Sequence, residues 1–224
     1  MEALVLPRLR WIAGAMNFMP EQQTGFRRYR CTADSIEDVV STLEDARNRG
    51  DVALLVLLDV QSALDSLPYV VIENALDALG IVGCLRRFIT QFLTGRTLRV
   101  RVGRTTCSPG LLTSGVLQWS VLSPFLLILV LAALPAAIPE DERYQTQCSI
   151  QADDVALWVQ GLRRHLPAVR RSLQRTLDAV AFFFRGIGLQ VSPTKTVTLI
   201  VHPNAVARVY SQKLTLEVFA TSGE

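Results

Sequence analysis

Cysteine and histidine are scarce in this chain of 224 residues, four of the first and two of the second. Cys31, Cys84, Cys107 and Cys148 are widely scattered, no two share CxxC spacing, and His165 and His202 stand equally alone. That spacing argues against a zinc finger or knuckle. Free thiols in a reducing, intracellular setting, nucleus or cytoplasm, are the expectation. No secretory leader is legible, because Glu2 follows Met1, and Pro7, Arg8 and Arg10 interrupt any apolar run. Internal repeats and low-complexity tracts are also missing. The largest absence is of charge: none falls between Thr105 and Pro139. Inside that stretch, residues 121–138 (VLSPFLLILVLAALPAAI) just reach the length needed to cross a bilayer. Pro124 and Pro135 interrupt it, and no aromatic or lysine belt frames it. A helix buried on all sides in a soluble core has the same composition. We prefer that to a membrane span.

What is present suits a globular protein. Half the residues are apolar, 19% are charged and the net charge is +3, so nucleic acid is permitted as a partner but not demanded. The first 20 residues pattern as a helix in which Arg8 and Arg10 interleave with apolar positions, and sequence is expected ahead of Met1. A basic loop follows, with Phe26, Arg27, Arg28, Tyr29 and Arg30 suited either to solvent or to phosphates and stacked bases. Residues 34–49 read as an amphipathic helix capped by Asp34 or Ser35 and stopped by Gly50. Helices over 67–79, 84–94 and 162–184 are expected as well. A strand is read over 97–102 with a turn at Gly103-Arg104, and further strands over 197–201, 205–210 and 214–219. Arg96, Arg99, Arg101 and Arg104 form a patch that faces phosphates or water.

Two acidic places carry the chemistry. Val52 to Leu58 (VALLVLL) is a strand covered on both faces, and it ends at Asp59. Asp65, six residues on, is read instead as a helix cap with Ser66. Far downstream, Asp153-Asp154 sits between short apolar flanks as if at a turn between two strands. Asp-Asp is a common turn dipeptide. Side by side, however, ionised carboxylates repel and lose hydration, and a bound divalent cation is the usual compensation, magnesium suiting hard oxygen ligands.

The ordered set resembles the palm of a reverse transcriptase, closest in wording to non-LTR, LINE-like retrotransposons. Val56-Leu-Leu-Asp59-Val-Gln-Ser-Ala-Leu-Asp65-Ser-Leu-Pro68 looks like the first palm motif. Gly115-Val-Leu-Gln118-Trp-Ser120-Val-Leu-Ser123-Pro124 looks like the second and Gln151-Ala-Asp153-Asp154 like the third. Gly188-Leu-Gln-Val-Ser-Pro-Thr-Lys195-Thr is similar to the fourth, and residues 22–34 to the basic segment ahead of the palm. The resemblance implies an α+β fold, an antiparallel palm sheet backed by helices. A fingers remnant would occupy 1–50, the palm 51–204, and a further segment 205–224, with the thumb missing and the chain a piece of a longer polyprotein.

It also implies RNA-directed DNA synthesis on an RNA template and DNA primer from deoxynucleoside triphosphates, with two Mg2+ ions, or Mn2+. Asp59, Asp153, Asp154 and the Val60 backbone carbonyl would hold the metals. Leu64, Gln118 and Lys195 would line the nucleotide, and Arg27, Arg28 and Arg30 the nucleic acid. The chain departs from the family at Trp119, where a glycine is usual, at Gln151 and Leu64, where aromatics are, and at Ile128, where an asparagine is. A catalytically dead nucleic-acid-binding remnant is the alternative.

Overall fold

The computed structural model describes residues 1–202, so the strands expected over 205–210 and 214–219 lie outside the described residues. In chain order the elements are α1 (Glu2–Ala15), α2 (Thr32–Arg49), β1 (Val52–Leu58), α3 (Ala63–Ser66), α4 (Tyr69–Ala78) and α5 (Gly83–Leu93). Then come the two-residue strands β2 (Thr97–Leu98), β3 (Arg101–Val102), β4 (Thr105–Thr106) and β5 (Gly110–Leu111), and α6 (Ser123–Leu131). The chain continues through β6 (Gln147–Gln151), β7 (Asp154–Gly161), α7 (Leu166–Gly186) and β8 (Val197–Val201). The described residues divide into two compact units, residues 1–19 with 62–130, and residues 20–61 with 131–202.

The second unit is built on one antiparallel sheet in the order β6-β7-β1-β8. Successive strand residues face opposite sides, and β1 is buried on both: Val52 to Val56 are all at most 6% exposed. On one side Leu55 and Trp158 cluster with Val39 of α2. On the other, Leu54 and Val56 need cover from the remaining helix in contact with β1 and β7, which is α7. That helix buries Val169, Leu173, Leu177, Val180 and Phe184 along one stripe, the i, i+4, i+7 spacing of an amphipathic helix. It starts at Leu166 rather than Leu162, because Pro167 favours the first turn and residues 163–165 form a 3-10 turn. The α2 cap is not Asp34 itself. Cys31 is the N-cap, and the Asp34 carboxylate accepts its backbone N–H at 2.8 Å.

In the first unit α1 buries Val5, Leu6, Leu9 and Ala13, and α4 lies against α5. Arg86 ties that pair, donating to the Glu73 carbonyl at 2.8 Å and meeting Asp77 at 3.2 Å. Asp65 does not cap α4. Pro68 is the N-cap there, with Leu67 extended ahead of the proline. The strand expected over 97–102 is two short pieces with different partners, β2 with β5 and β3 with β4, and all four are exposed. Alternation without a core to cover does not make a long strand. Arg96 leaves the expected basic patch: it stacks 5.6 Å from the Tyr69 ring and donates to the Tyr69 hydroxyl at 2.8 Å and to the Gly115 carbonyl.

The apolar run is not one helix over 121–138. It comprises α6, buried from Phe125 to Leu131, and a 3-10 turn at Pro135–Ala137. Among the described residues no helix is long and apolar enough to cross a membrane.

Two measurements check this packing. A Cβ on Gly161 would meet Tyr144 Cε1 and Val169 Cγ2 at 2.6 Å. Gly161→Ala should therefore cost about 1–3 kcal/mol in urea unfolding, as overpacked cores do. Burial pushes the Cys148 thiol up to about 12. At pH 8 it should stay unalkylated while the exposed Cys31, Cys84 and Cys107 react.

Candidate active site

The β1–β7 ladder runs from Val52↔Gly161 to Leu58↔Val155. One further step in the same register sets Asp59 opposite Asp154. Side chains directly opposed across antiparallel strands stand roughly 5 Å apart at Cβ, so the ladder delivers these two carboxylates to one face. The β6–β7 hairpin closes with Gln151↔Asp154, leaving Ala152 and Asp153 as a two-residue turn. Asp59, Asp153 and Asp154 are thus gathered at one end of the sheet.

The charges there act on one another. Loss of solvent, then the Asp153 and Asp59 carboxylates, push the Asp154 pKa up, and the Lys195 ammonium opposes them. Asp59 Oδ2 is shut off from solvent and makes no hydrogen bond. Its contact is ionic, with Lys195 Nζ at 3.2 Å. The turn after α7 sets that lysine in place. Gln61 N–H donates to the Gln190 carbonyl and Ser192 N–H to the Asp59 carbonyl, both at 2.8 Å, around an antiparallel Val60↔Val191 bridge. Lys195 and Thr196 then fold back onto the Ser192 carbonyl. This bridge uses the carbonyls of Asp59 and Gln190 and leaves that of Val60 outside it.

The resemblance implies divalent metal ions at these carboxylates. Among the described residues no three carboxylate, imidazole or thiol groups converge closely enough to hold one as they stand. The donor set nevertheless fits such an ion. It offers hard oxygens, an Asp59 oxygen without a hydrogen bond, and mutually repelling carboxylates whose present counter-charge is a mostly exposed lysine.

The loop ahead of α2 is more than basic. Thr24 N–H donates to the Ile150 carbonyl at 2.8 Å, and Ile150 N–H to the Gln22 carbonyl at 2.7 Å, so this segment straps onto β6. Gln23 is wholly buried. Its Oε1 accepts Gly25 N–H at 2.9 Å and Ala152 N–H at 3.2 Å, and its Nε2 donates to the Ala152 carbonyl at 3.3 Å. Gly25 is required: a Cβ would stand 2.2 Å from Ala152 N. Ala152 itself takes φ 61°, a conformation that costs a non-glycine residue about 1–3 kcal/mol and needs outside support.

Where the family has an aromatic, Gln151 joins a polar chain. Ser149 donates to Ser35 at 2.9 Å, the Ser35 and Thr24 hydroxyls are 2.6 Å apart, and Thr24 donates to Gln151 Oε1 at 2.6 Å. Sequence reasoning gave no role to Gln23, Thr24 and Gly25, taking the arginines and aromatics after them. Of these, Arg27 spends its guanidinium on the carbonyls of Pro20 and Gln23 at 2.6 and 3.0 Å. Burial, and then Arg30, lower its pKa. Arg28 lies 5.4 Å over the Tyr29 ring, and both it and Arg30 are exposed.

Asp59 and Asp154 open onto a cleft of about 500 Å³, with Ile36, Val40, Leu57 and Val197 on its apolar walls and Lys195 also in its polar lining. Leu64 and Gln118 belong to the other unit. There Val116 N–H donates to the Leu64 carbonyl at 2.7 Å, and Gln118 Nε2 donates to Asp65 Oδ2 at 3.0 Å, which gives Asp65 a partner in place of the expected capping role. Trp119 takes φ 37° and its indole is entirely in solvent.

An antiparallel sheet with one aspartate ending a central strand and two more at the neighbouring hairpin is the layout of a polymerase palm. The chain belongs to the family described as reverse transcriptase (RNA-dependent DNA polymerase), whose sequence profile matches residues 1–215. Among Drosophila melanogaster proteins it is similar to the probable RNA-directed DNA polymerase from transposon BS, 27% identical over 201 residues, covering 88% of this chain and 22% of that one. The RNA-directed DNA polymerase from mobile element jockey is 28% identical over 181 residues, covering 80% and 19%. This chain thus spans about a fifth of the length of those relatives, and the LINE-like lineage stands.

The fold is shared with solved telomerase structures. One is from Candida albicans with a TWJ fragment of telomeric RNA (TM-score 0.62, 13% identity, 87% of this chain and 35% of that one). Another is apo telomerase from Candida tropicalis truncated from its C-terminal domain (TM-score 0.61, 12% identity, 91% and 41%).

Because the folded state raises the Asp154 pKa, ionising that carboxyl destabilises the fold, and the penalty grows as pH rises past the ordinary carboxylate value. Asp154→Asn should therefore melt higher than wild type at pH 7, in buffer without divalent cations. Near pH 3, where both side chains are neutral, the difference should close.

Proposed function

We propose that this chain is the palm of an RNA-directed DNA polymerase that extends a DNA primer on an RNA template. The observation that carries the reading is the register that sets Asp59 opposite Asp154, beside Asp153, in a chain matched by the reverse transcriptase profile over nearly its whole length. Asp59, Asp153 and Asp154 would hold two divalent cations, Mg2+ or Mn2+, with the Val60 carbonyl as a further oxygen. Such ions lower the pKa of a primer 3′-hydroxyl and neutralise charge on the triphosphate.

The residues themselves do the rest. Lys195, tethered to the Asp59 strand by the Ser192 turn, supplies a positive charge, or a proton, for a departing pyrophosphate. Gln118, oriented by Asp65, presents its remaining polar capacity to the nascent base pair. Leu64 in place of an aromatic weakens discrimination against ribonucleotides. Exposed Arg28 and Arg30 meet template or nucleotide phosphates, while Arg27 braces the loop that carries them.

The test is primer extension by the purified protein on an RNA template with deoxynucleoside triphosphates and Mg2+. Asp59→Asn and Asp153→Asn should each lower the rate roughly a hundredfold or more, since losing even a group that supports a metal ligand costs 10–100-fold. Undiminished extension in these variants refutes the reading. So does silence from both the wild type and a Trp119→Gly variant supplied with fingers and thumb.

One observation favours a second reading, a nucleic-acid-binding remnant without activity. Trp119 stands at a left-handed φ where the family's glycine costs nothing. In that case RNA binding should weaken steeply with salt and depend on Arg28 and Arg30 but not on the aspartates.

A further inference from the structure

We infer that Gln23 is a positioning residue: its side-chain amide holds the strained Ala152 peptide and thereby keeps the Asp153–Asp154 pair in register with Asp59. The inference rests on the polymerase reading above and concerns how that site is kept in shape.

A two-residue hairpin turn with a positive φ at its first position normally recruits glycine or asparagine. This one has alanine, at φ 61°. The turn must then be held from outside, and the holder is in view. The Gln23 amide takes both polar groups of Ala152, accepting from its N–H and donating to its carbonyl, and accepts Gly25 N–H as well. Four hydrogen-bonding positions are the most that a glutamine amide offers, and three of them are spent within one residue of the aspartate pair or on the strap itself.

Gln23 cannot drift away from this task. Its own backbone is fixed by the flanking bonds of Gln22 and Thr24 to Ile150, in a parallel bridge to β6. Gly25 lets the strap come this close, since no Cβ fits against Ala152 N. The Ser149–Ser35–Thr24–Gln151 chain of hydroxyls and amide, which runs through the strap itself, ties the last residue of β6 to α2. A glutamine that merely filled a core space would not need to satisfy a strained peptide at the acidic turn. Losing it frees the turn to relax, and relaxation moves the two carboxylates that the ladder has aligned with Asp59.

The experiment uses the purified 224-residue chain, with Mn2+ affinity measured by calorimetry and amide hydrogen exchange followed at Ala152. Gln23→Met keeps the length and removes all three bonds. It should weaken Mn2+ binding about tenfold, as lost support of metal ligands does, and speed exchange at Ala152. Adding Ala152→Gly to Gln23→Met should restore the melting temperature, because glycine accepts the positive φ, without restoring affinity. That double variant also supplies a folded protein if Gln23→Met alone is too unstable.

Gly161→Ala, which strains the opposite end of β7, serves as the control and should leave affinity unchanged. Wild-type affinity in folded Gln23→Met or in the double variant overturns the inference while leaving the polymerase reading intact. A wild type that binds no Mn2+ although its Ala152 amide is protected overturns the polymerase reading, and the inference with it.

Discussion

Everything at the acidic end of this protein depends on the antiparallel ladder between β1 and β7. Strand side chains alternate, so a slip of one residue would send Asp59 to the opposite face from Asp154. The register is pinned by burial. Leu55 and Trp158 must meet Val39 of α2, while Leu54, Val56 and Leu157 must stay out of water on the reverse face. The apolar core thereby specifies the position of charged groups that contribute nothing to it. Indeed, their loss of solvent, and after it their mutual repulsion, works against the fold, in line with the raised pKa of Asp154.

That antagonism explains why the site is so heavily braced. Three separate segments converge on two short stretches of backbone. The strap at 22–25 fixes the hairpin turn, the 190–196 turn is latched to Asp59 and Gln61, and α2 reaches Gln151 through Ser35 and Thr24. Each bond of this kind is worth about 0.5–1.5 kcal/mol net, comparable with the strain at Ala152. A strained turn and a crowded acidic strand end survive because the surrounding polar groups are satisfied by this bracing. Lys195 adds a charge that can leave, since it is long, largely exposed and held to Asp59 only by an ionic contact.

Much of this was legible from residue order. VALLVLL reads as a strand covered on both faces, and from Val52 to Val56 it is one, with Leu57 left half-exposed. The turn at Asp153 and the helix stop at Gly50 follow from local chemistry, and α2 and α7 follow from their periodicity. The rest depended on partners distant in sequence. Whether Asp65 caps a helix or accepts an amide is decided by Gln118, 53 residues away. Arg96 looks like any basic-patch residue until Tyr69 and Gly115 are brought to it. The strap was overlooked because Gln, Thr and Gly carry no periodicity, and three nearby arginines offered a simpler account. Its one local sign was Gly25 at the end of the polar run Gln22-Gln23-Thr24, the mark of a close backbone approach.

The departures from the family sort themselves along the same line. Gln151 stands where an aromatic is usual, yet it is absorbed into a continuous hydrogen-bonded chain, so the carboxylates behind it keep their support. Trp119 has no such compensation. Its backbone sits in a left-handed conformation and its indole packs against nothing that shields it from solvent. A substitution whose neighbours have adjusted leaves a site intact, whereas one left in solvent at a strained φ changes what can approach. The acidic end of the sheet and the segment around Gln118 are therefore under different constraints. The first is positioned by the β1–β7 ladder and its bracing loops, and the second by the Val116–Leu64 backbone bond, the Arg96–Gly115 contact and the amide–carboxylate bond to Asp65.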